Sequence, residues 1–222
     1  MFKTETHLHT SEVSPCGQVS AEEMVRRYFE AGYKTIFVSD HVYTKKFQTW
    51  GYIPWSEKID RYLEGYKKAK AVGDELGMNI ILSAEVNFNG CPNDYLLYGI
   101  DEEFLKGCPD LLDMGIERFY PYAKERGVTV VQAHPLRNGR CVPTPDFVDG
   151  LEVYNSNCRH ENFTEKLLEI AKETDKPMTS GSDAHRIEDI ALAGVITENE
   201  IKTAKDYTDA LKGGKLTLLE SK

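Results

Sequence analysis

The stretch Lys3-Thr4-Glu5-Thr6-His7-Leu8-His9-Thr10 sets the reading of the chain. A short extended run ends in two histidines one residue apart. In a β-strand the side chains of residues i and i+2 point to the same face. His7 and His9 therefore share a face at a predicted strand end, close enough to share a metal ion. The chain has six histidines. His7, His9, His41, His134 and His185 all fall where a predicted strand runs into a loop, several of them beside Asp or Pro. The chain reads as a scaffold that gathers strand ends.

Working outward, residues 2–7 form the first predicted strand, and the loop 9–19 holds Pro15 and Gly17. Ser20 with Glu23 is a capping-box signal, opening a helix that stops at Gly32. Residues 34–39 are a β-branched strand, followed directly by Asp40-His41. Residues 42–54 carry Tyr43, Phe47, Trp50 and Tyr52 and are either a lid or surface packing. A long helix fits 56–76, closed by Gly77. Strand 78–83 ends in Ala84-Glu85. After a loop at 87–93 come strand 95–100, a helix at 110–126 stopped by Gly127, and strand 128–132 ended by Ala133-His134-Pro135. Strand 150–154, helix 163–173 and strand 177–180 follow, the last leading into Gly181-Ser182-Asp183-Ala184-His185. Strand 193–197, helix 204–211 and strand 215–219 finish the pattern. The acidic runs 101–103 and 198–200 read as solvated faces.

Alternating strands and helices imply parallel strands with right-handed crossovers. About seven or eight such strands can close into a barrel, and about 200–250 residues is an ordinary size for one. With no linker, low-complexity tract or obvious repeat, the expectation is one α/β domain over residues 1–222, a distorted TIM-like barrel.

The net charge of −9 argues against a large basic footprint for nucleic acid. A phosphorylated substrate stays compatible with it, because bound cations reverse the sign of a local acidic site. Hydrophobic content of 41% supports a packed core. No apolar run approaches the roughly 20 residues of a membrane-spanning helix. Five widely spaced cysteines, with no Cys-x-x-Cys pair, suit reduced thiols in a cytoplasm better than a disulfide framework.

The chemistry is positional. His7 and His9, His41, Glu85, His134, Asp183 and His185 each stand at the C-terminal end of a predicted strand. In a parallel α/β barrel those ends open on one face. Imidazoles and carboxylates meeting there make a metal site suited to Zn, Mn or Fe, and so many donors suggest two or three divalent ions. Taken singly, each has a blander reading. A lone strand-end histidine is more often a hydrogen-bonded structural residue, and Glu85 alone would be a solvated loop acid.

His-x-His-Thr near the start, Ser-Asp-His at 39–41, Ala-Glu at 84–85, Ala-His-Pro at 133–135 and Gly-Ser-Asp-Ala-His at 181–185 together resemble the motifs of the PHP (polymerase and histidinol phosphatase) superfamily, in order over nearly the whole chain. The resemblance implies a distorted (β/α)7 barrel with a trinuclear metal centre that hydrolyses phosphoesters. It implies His7, His9, Glu85 and Asp183 around one ion, Glu85 bridging to a second held also by His134, and His41 with His185 around a third. Asp40 would orient a neighbouring imidazole. Two positions depart from the family pattern. Where relatives often carry a further His or Asp in the first loop, the candidates are Glu12 and Cys16, and Glu12 is the harder ligand and the preferred one. Where many carry a His before the fourth strand, Asp94 stands.

A hydroxide bridging two ions would attack phosphorus in line with the leaving alkoxide. Arg137, Arg140 and Arg159 are candidates for the phosphate clamp, since guanidinium binds phosphate bidentately, and His160 for protonating the leaving group. Surface arginines are common, so the structural reading of each stands level with the functional one. The expected substrate is a small phosphorylated metabolite such as histidinol phosphate. A protein-tyrosine phosphatase, a nuclease and a non-catalytic metal-binding regulatory module are the alternatives. The sequence leaves the oligomeric state open.

Overall fold

The computed structural model describes residues 1–220. Its first half runs β1 (Phe2–Leu8), α1 (Ala21–Glu30), β2 (Tyr33–Val38), β3 (His41–Val42), α2 (Thr44–Gln48), α3 (Trp55–Leu76), β4 (Asn79–Asn87) and β5 (Asp94–Tyr98). The second half runs α4 (Glu102–Lys106), α5 (Leu111–Glu125), β6 (Thr129–Ala133), β7 (Gly150–Asn155), α6 (Thr164–Glu173), β8 (Met178–Gly181), β9 (Ala193–Thr197), α7 (Ala204–Lys212) and β10 (Thr217–Glu220). Local signals set several ends as expected. The Ser20 side chain accepts from Glu23 N at the start of α1, and Gly77 closes α3 in the left-handed region at φ 69°.

The wall follows the order β1-β2-β4-β5-β6-β7-β8. It closes where β8 returns to β1, through the Leu8–Ala184 bridge and the Thr6 Oγ1 bond to Ser180 O (2.7 Å). β9 pairs antiparallel with β1, and β10 antiparallel with β9. This is the distorted, nearly closed barrel expected.

One expectation is corrected: the wall is not wholly parallel. β5 runs antiparallel to both β4 and β6. Only six residues, 88–93, join β4 to β5, and a parallel return needs about a dozen or more. The reversal matters for the site. It places the start of β5 at the barrel face where the other strands end, with Asp94 opposite Asn87 and Ala133.

Strand alternation sorts the core into layers. Ile36 and Val38 of β2 pack outward with Met24, Val25 and Tyr28 of α1. Phe37 between them packs with Leu96, Tyr98 and Val131, and α7 covers these with Tyr207 and Leu211. A larger outer cluster joins α3 and α5 to β4, β5, β6 and β7. The aromatic segment is packing rather than a lid: Phe47 is buried against Trp50, Trp55 and Tyr62, although Tyr52 stands fully exposed. Among the described residues no helix is long and apolar enough to cross a membrane.

Candidate metal centre

The polar counterpart of that core lies at the barrel mouth. His7, His9, Glu85, His134 and Asp183 are all within 1% of complete burial. His7 and His9 point inward from the end of β1, as their spacing requires. Glu85 comes from β4, whose second half pairs with His41 of β3. Two donors arrive by a different route. His134 follows Ala133, an inward residue of β6, so strand alternation would turn it outward. Its backbone sits instead at φ 31°, and Asp183 at φ 50°. Such left-handed conformations are costly for these residues and collect at functional sites.

The two carboxylates knit the imidazoles together. Glu85 Oε1 lies 2.8 Å from His134 Nε2, and its Oε2 lies 2.8 Å from His41 Nδ1 and 3.3 Å from His9 Nε2. Asp183 Oδ1 lies 3.1 Å from His9 Nε2 and 3.4 Å from His7 Nε2. Four overlapping triads have donor atoms mutually within 4.8 Å: His9-His41-His185, His7-His9-Glu85, His7-His134-Asp183 and Glu85-Asp94-His134.

Burial opposes charge throughout, and the neighbours decide the outcome. For Glu85 burial works to raise the carboxyl, but His41 and His7 outweigh it and hold it well below the usual carboxylate range. For Asp183 burial again opposes ionisation, and Arg137 and His7 overcome it. Burial, then His41 and His185, push His9 well below the usual histidine range, which keeps it neutral.

The donor set fits a cation. His9 Nδ1–H donates to Ser14 Oγ (3.3 Å), because that hydroxyl spends its own proton on Asp40 Oδ1 (2.7 Å). His7 Nδ1–H donates to Glu152 Oε1 (2.9 Å). Against burial, Glu152, Asp183 and Glu85 raise the His7 pKa well above the usual histidine range, so without an ion its Nε2–H donates to the lone pair of His9 Nε2 (3.1 Å). A proton there already serves as the positive charge among two imidazoles and two carboxylates, and a divalent ion would take its place. Among the described residues Glu85 Oε2 and His134 Nδ1 are also buried without a hydrogen-bond partner.

Residues 5–176 match the family model described as PHP domain, and residues 162–216 match that described as PHP-associated. The chain belongs to the PHP domain family. Solved structures agree at the level of the fold. A two-domain protein from Bacteroides vulgatus, described as containing a predicted PHP-like metal-dependent phosphoesterase, superposes with a TM-score of 0.71 at 14% identity, over 99% of this chain and 65% of its own. PsfC from Pseudomonas syringae gives 0.69 at 17% identity, over 99% and 91%. An amidohydrolase from Chromobacterium violaceum gives 0.56 at 15% identity, over 94% and 96%. No curated protein matches the chain.

Within this PHP barrel the residues singled out by sequence divide sharply. His7, His9, His41, Glu85, Asp94, His134, Asp183 and His185 converge. Glu12 does not join them: its Oε2 accepts from Ala21 N (3.0 Å) at the start of α1, and its Oε1 faces Lys68 (3.6 Å). Cys16, the other loop candidate, lines the mouth beside His41 and His185. Asp40 points away from the focus and acts through others, accepting from Thr10 N, Thr10 Oγ1 and Ser14 Oγ. Helix α3 can approach it because residue 65 is glycine. A Cβ there would lie 2.2 Å from Thr10 Oγ1 and 2.7 Å from Asp40 Oδ2.

The arginines are largely committed. Arg137 is held by Asp183 Oδ2, Asn155 Oδ1 and Asn162 Oδ1. Arg159 forms a bidentate pair with Asp189 (2.6 and 2.7 Å), and Asp189 also accepts from His185 N and Arg186 N. Arg140 is exposed and outside the mouth. Arg186, which sequence reasoning passed over, lines the mouth with its head half exposed and, among the described residues, only Glu188, 3.7 Å away, as an ion-pair partner. His160 also lines the mouth. Asn138 Oδ1 accepts from Glu161 N, so its amide Nδ2 donates to His160 Nδ1 (3.0 Å). Burial and the Arg137 charge lower the His160 pKa. This suits a neutral hydrogen-bond donor through Nε2 better than the proton-donating acid expected from the sequence.

Proposed function

We propose that residues 1–222 act as one metal-dependent phosphoesterase domain, cleaving the phosphomonoester of a small metabolite of the histidinol phosphate kind. The observation that carries this is the convergence of the His7 and His9 Nε2 atoms, 3.1 Å apart, with Glu85 and Asp183 in a site shielded from water. The description of the Bacteroides neighbour as a PHP-like phosphoesterase points the same way.

The residues suit two or three ions of Zn, Mn or Fe. His7, His9, Glu85 and Asp183 would hold the first, Glu85, Asp94 and His134 the second, and His41 and His185 with Cys16 the third. Divalent ions in such a cluster acidify bound water and offset charge on phosphoryl oxygens. The protein's own groups do the rest. Glu85 turns one oxygen to His134 and the other to His41, linking the inner and outer donors. Arg137 fixes Asp183. The Arg159–Asp189 pair fixes the turn that carries His185 and Arg186. Arg186 and His160 are left to contact the phosphoryl group from the rim. The mouth is a cavity of about 240 Å³, a size that supports a small ester as substrate over a strand of nucleic acid.

The test is turnover of a chromogenic phosphomonoester with Mn, Zn, Fe and Co, alongside metal analysis. His9→Ala and Asp183→Ala are expected to abolish turnover and reduce bound metal while the fold survives. Bound metal without turnover under any of these ions would make the domain a non-catalytic module.

A further inference from the structure

One fully buried acid of the mouth belongs to none of the four donor triads. Glu152 sits in β7 between Leu151 and Val153, which pack outward, so its side chain enters the barrel. Its Oε1 accepts from His7 Nδ1 (2.9 Å). Its Oε2 accepts from the backbone N of His134 (3.0 Å) and from Asn155 Nδ2 (2.8 Å). The neighbouring strand β8 makes room for this pair: a Cβ on Gly181 would lie 2.6 Å from Glu152 Oε1 and 2.6 Å from His7 Cβ. Asn155 passes the connection on, since its Oδ1 accepts from Arg137, which in turn holds Asp183.

We propose that Glu152 is the positioning residue of the metal centre: one carboxylate that sets the His7 ring, anchors the left-handed turn at His134 and, through Asn155 and Arg137, registers Asp183. The proposal rests on the metal-dependent reading above. A buried carboxylate needs donors on both oxygens, and Glu152 draws them from two different metal-binding positions. Its bond to Nδ1 commits the His7 lone pair to Nε2 and makes that nitrogen a stronger donor. Its bond to His134 N supports a backbone conformation that is costly by itself.

Glu152→Gln keeps the shape but replaces one acceptor oxygen with an N–H group. Whichever way the amide turns, a donor then faces a donor, either at His7 Nδ1 or at His134 N and Asn155. Zinc titration by calorimetry is expected to show affinity weakened by roughly 10- to 100-fold, with the circular dichroism of the metal-free protein unchanged. A merely structural role would leave one signature unmoved. In zinc-loaded, 15N-labelled wild-type protein, His7 Nδ1 should carry a slowly exchanging, downfield-shifted proton, and in the variant that resonance should move upfield or vanish. Wild-type zinc affinity in Glu152→Gln overturns the proposal while leaving the metal-dependent reading intact. A wild-type spectrum with no proton on His7 Nδ1 does the same, and this decides the matter even if the variant fails to fold. Absence of zinc binding by the wild-type protein itself overturns both.

Discussion

Phe119 on α5 and His9 beyond β1 are both shielded completely from water, but their burials differ in sign. Phe119 packs against Phe88, Phe104 and Tyr122, and its shielding stabilises the fold. His9 lies face to face with His41 and His185, with ring centroids 4.2 Å away in each case, and its shielding works against the charge it would otherwise carry. The outer layer holds the barrel together. At the mouth burial is a cost, which ion pairs offset for Glu85 and Asp183 and which a bound cation would offset further. Stability and function should therefore separate between the two regions.

Four changes probe that separation, from the largest effect down. Glu85→Gln removes the acid shared by the inner and outer donors and should lower turnover on the order of 10³-fold or more. The same variant should also unfold more readily when metal-free, because a carboxyl held below its usual range stabilises the fold while charged, but its turnover per folded molecule should still be lost. Wild-type turnover per folded molecule would break the contrast. Phe119→Ala should touch stability alone, costing about 3–5 kcal/mol in denaturant unfolding, with turnover per folded molecule unchanged.

Glu5 sharpens the comparison, because it is a mouth-side acid whose charge costs the fold. Its Oε1 accepts from Thr6 N, His7 N and Ser182 N, and its Oε2 accepts from Tyr28 OH. Burial nevertheless pushes its pKa from 4.5 up to about 7. The folded pKa lies above the unfolded one, so the contribution to stability is complete below pH 4.5 and is lost as pH rises through 7. Unfolding of chelator-treated wild type, set against Glu5→Gln over that window, should diverge by about 3 kcal/mol. Parallel curves would refute the assignment. The smallest effect belongs to the rim. Arg186→Ala should raise KM for the phosphomonoester by about tenfold with kcat little changed, the loss of one exposed ionic contact. An unchanged KM would move the phosphate contact elsewhere.

Legibility in the sequence followed whether a residue acts in its own strand. His7 and His9 could be read from an i, i+2 spacing, and Glu85, His134 and Asp183 from their places after apolar strands. Glu152 and Glu5 were legible in principle as lone acids inside buried strands, where burial demands partners. They were passed over because the partners that mark their roles, His7 for Glu152 and Ser182 and Tyr28 for Glu5, come from distant segments. Glu12 looked like the harder ligand by type, yet its carboxylate serves α1 and Lys68. The Arg159 head is committed to Asp189, a residue 30 positions away, and no local pattern reports that.

The sequence by itself determined the periods, the caps and the order of strand-end donors, because these depend on residues within a few positions of one another. Tertiary structure decided the rest. It reversed β5 and so brought Asp94 to the mouth, turned His134 inward against strand alternation, and left Arg186 half exposed beside Glu188 while committing Arg137 and Arg159. Each of these depends on which groups from distant segments share a buried space, and a partner's identity is fixed only once the barrel has closed.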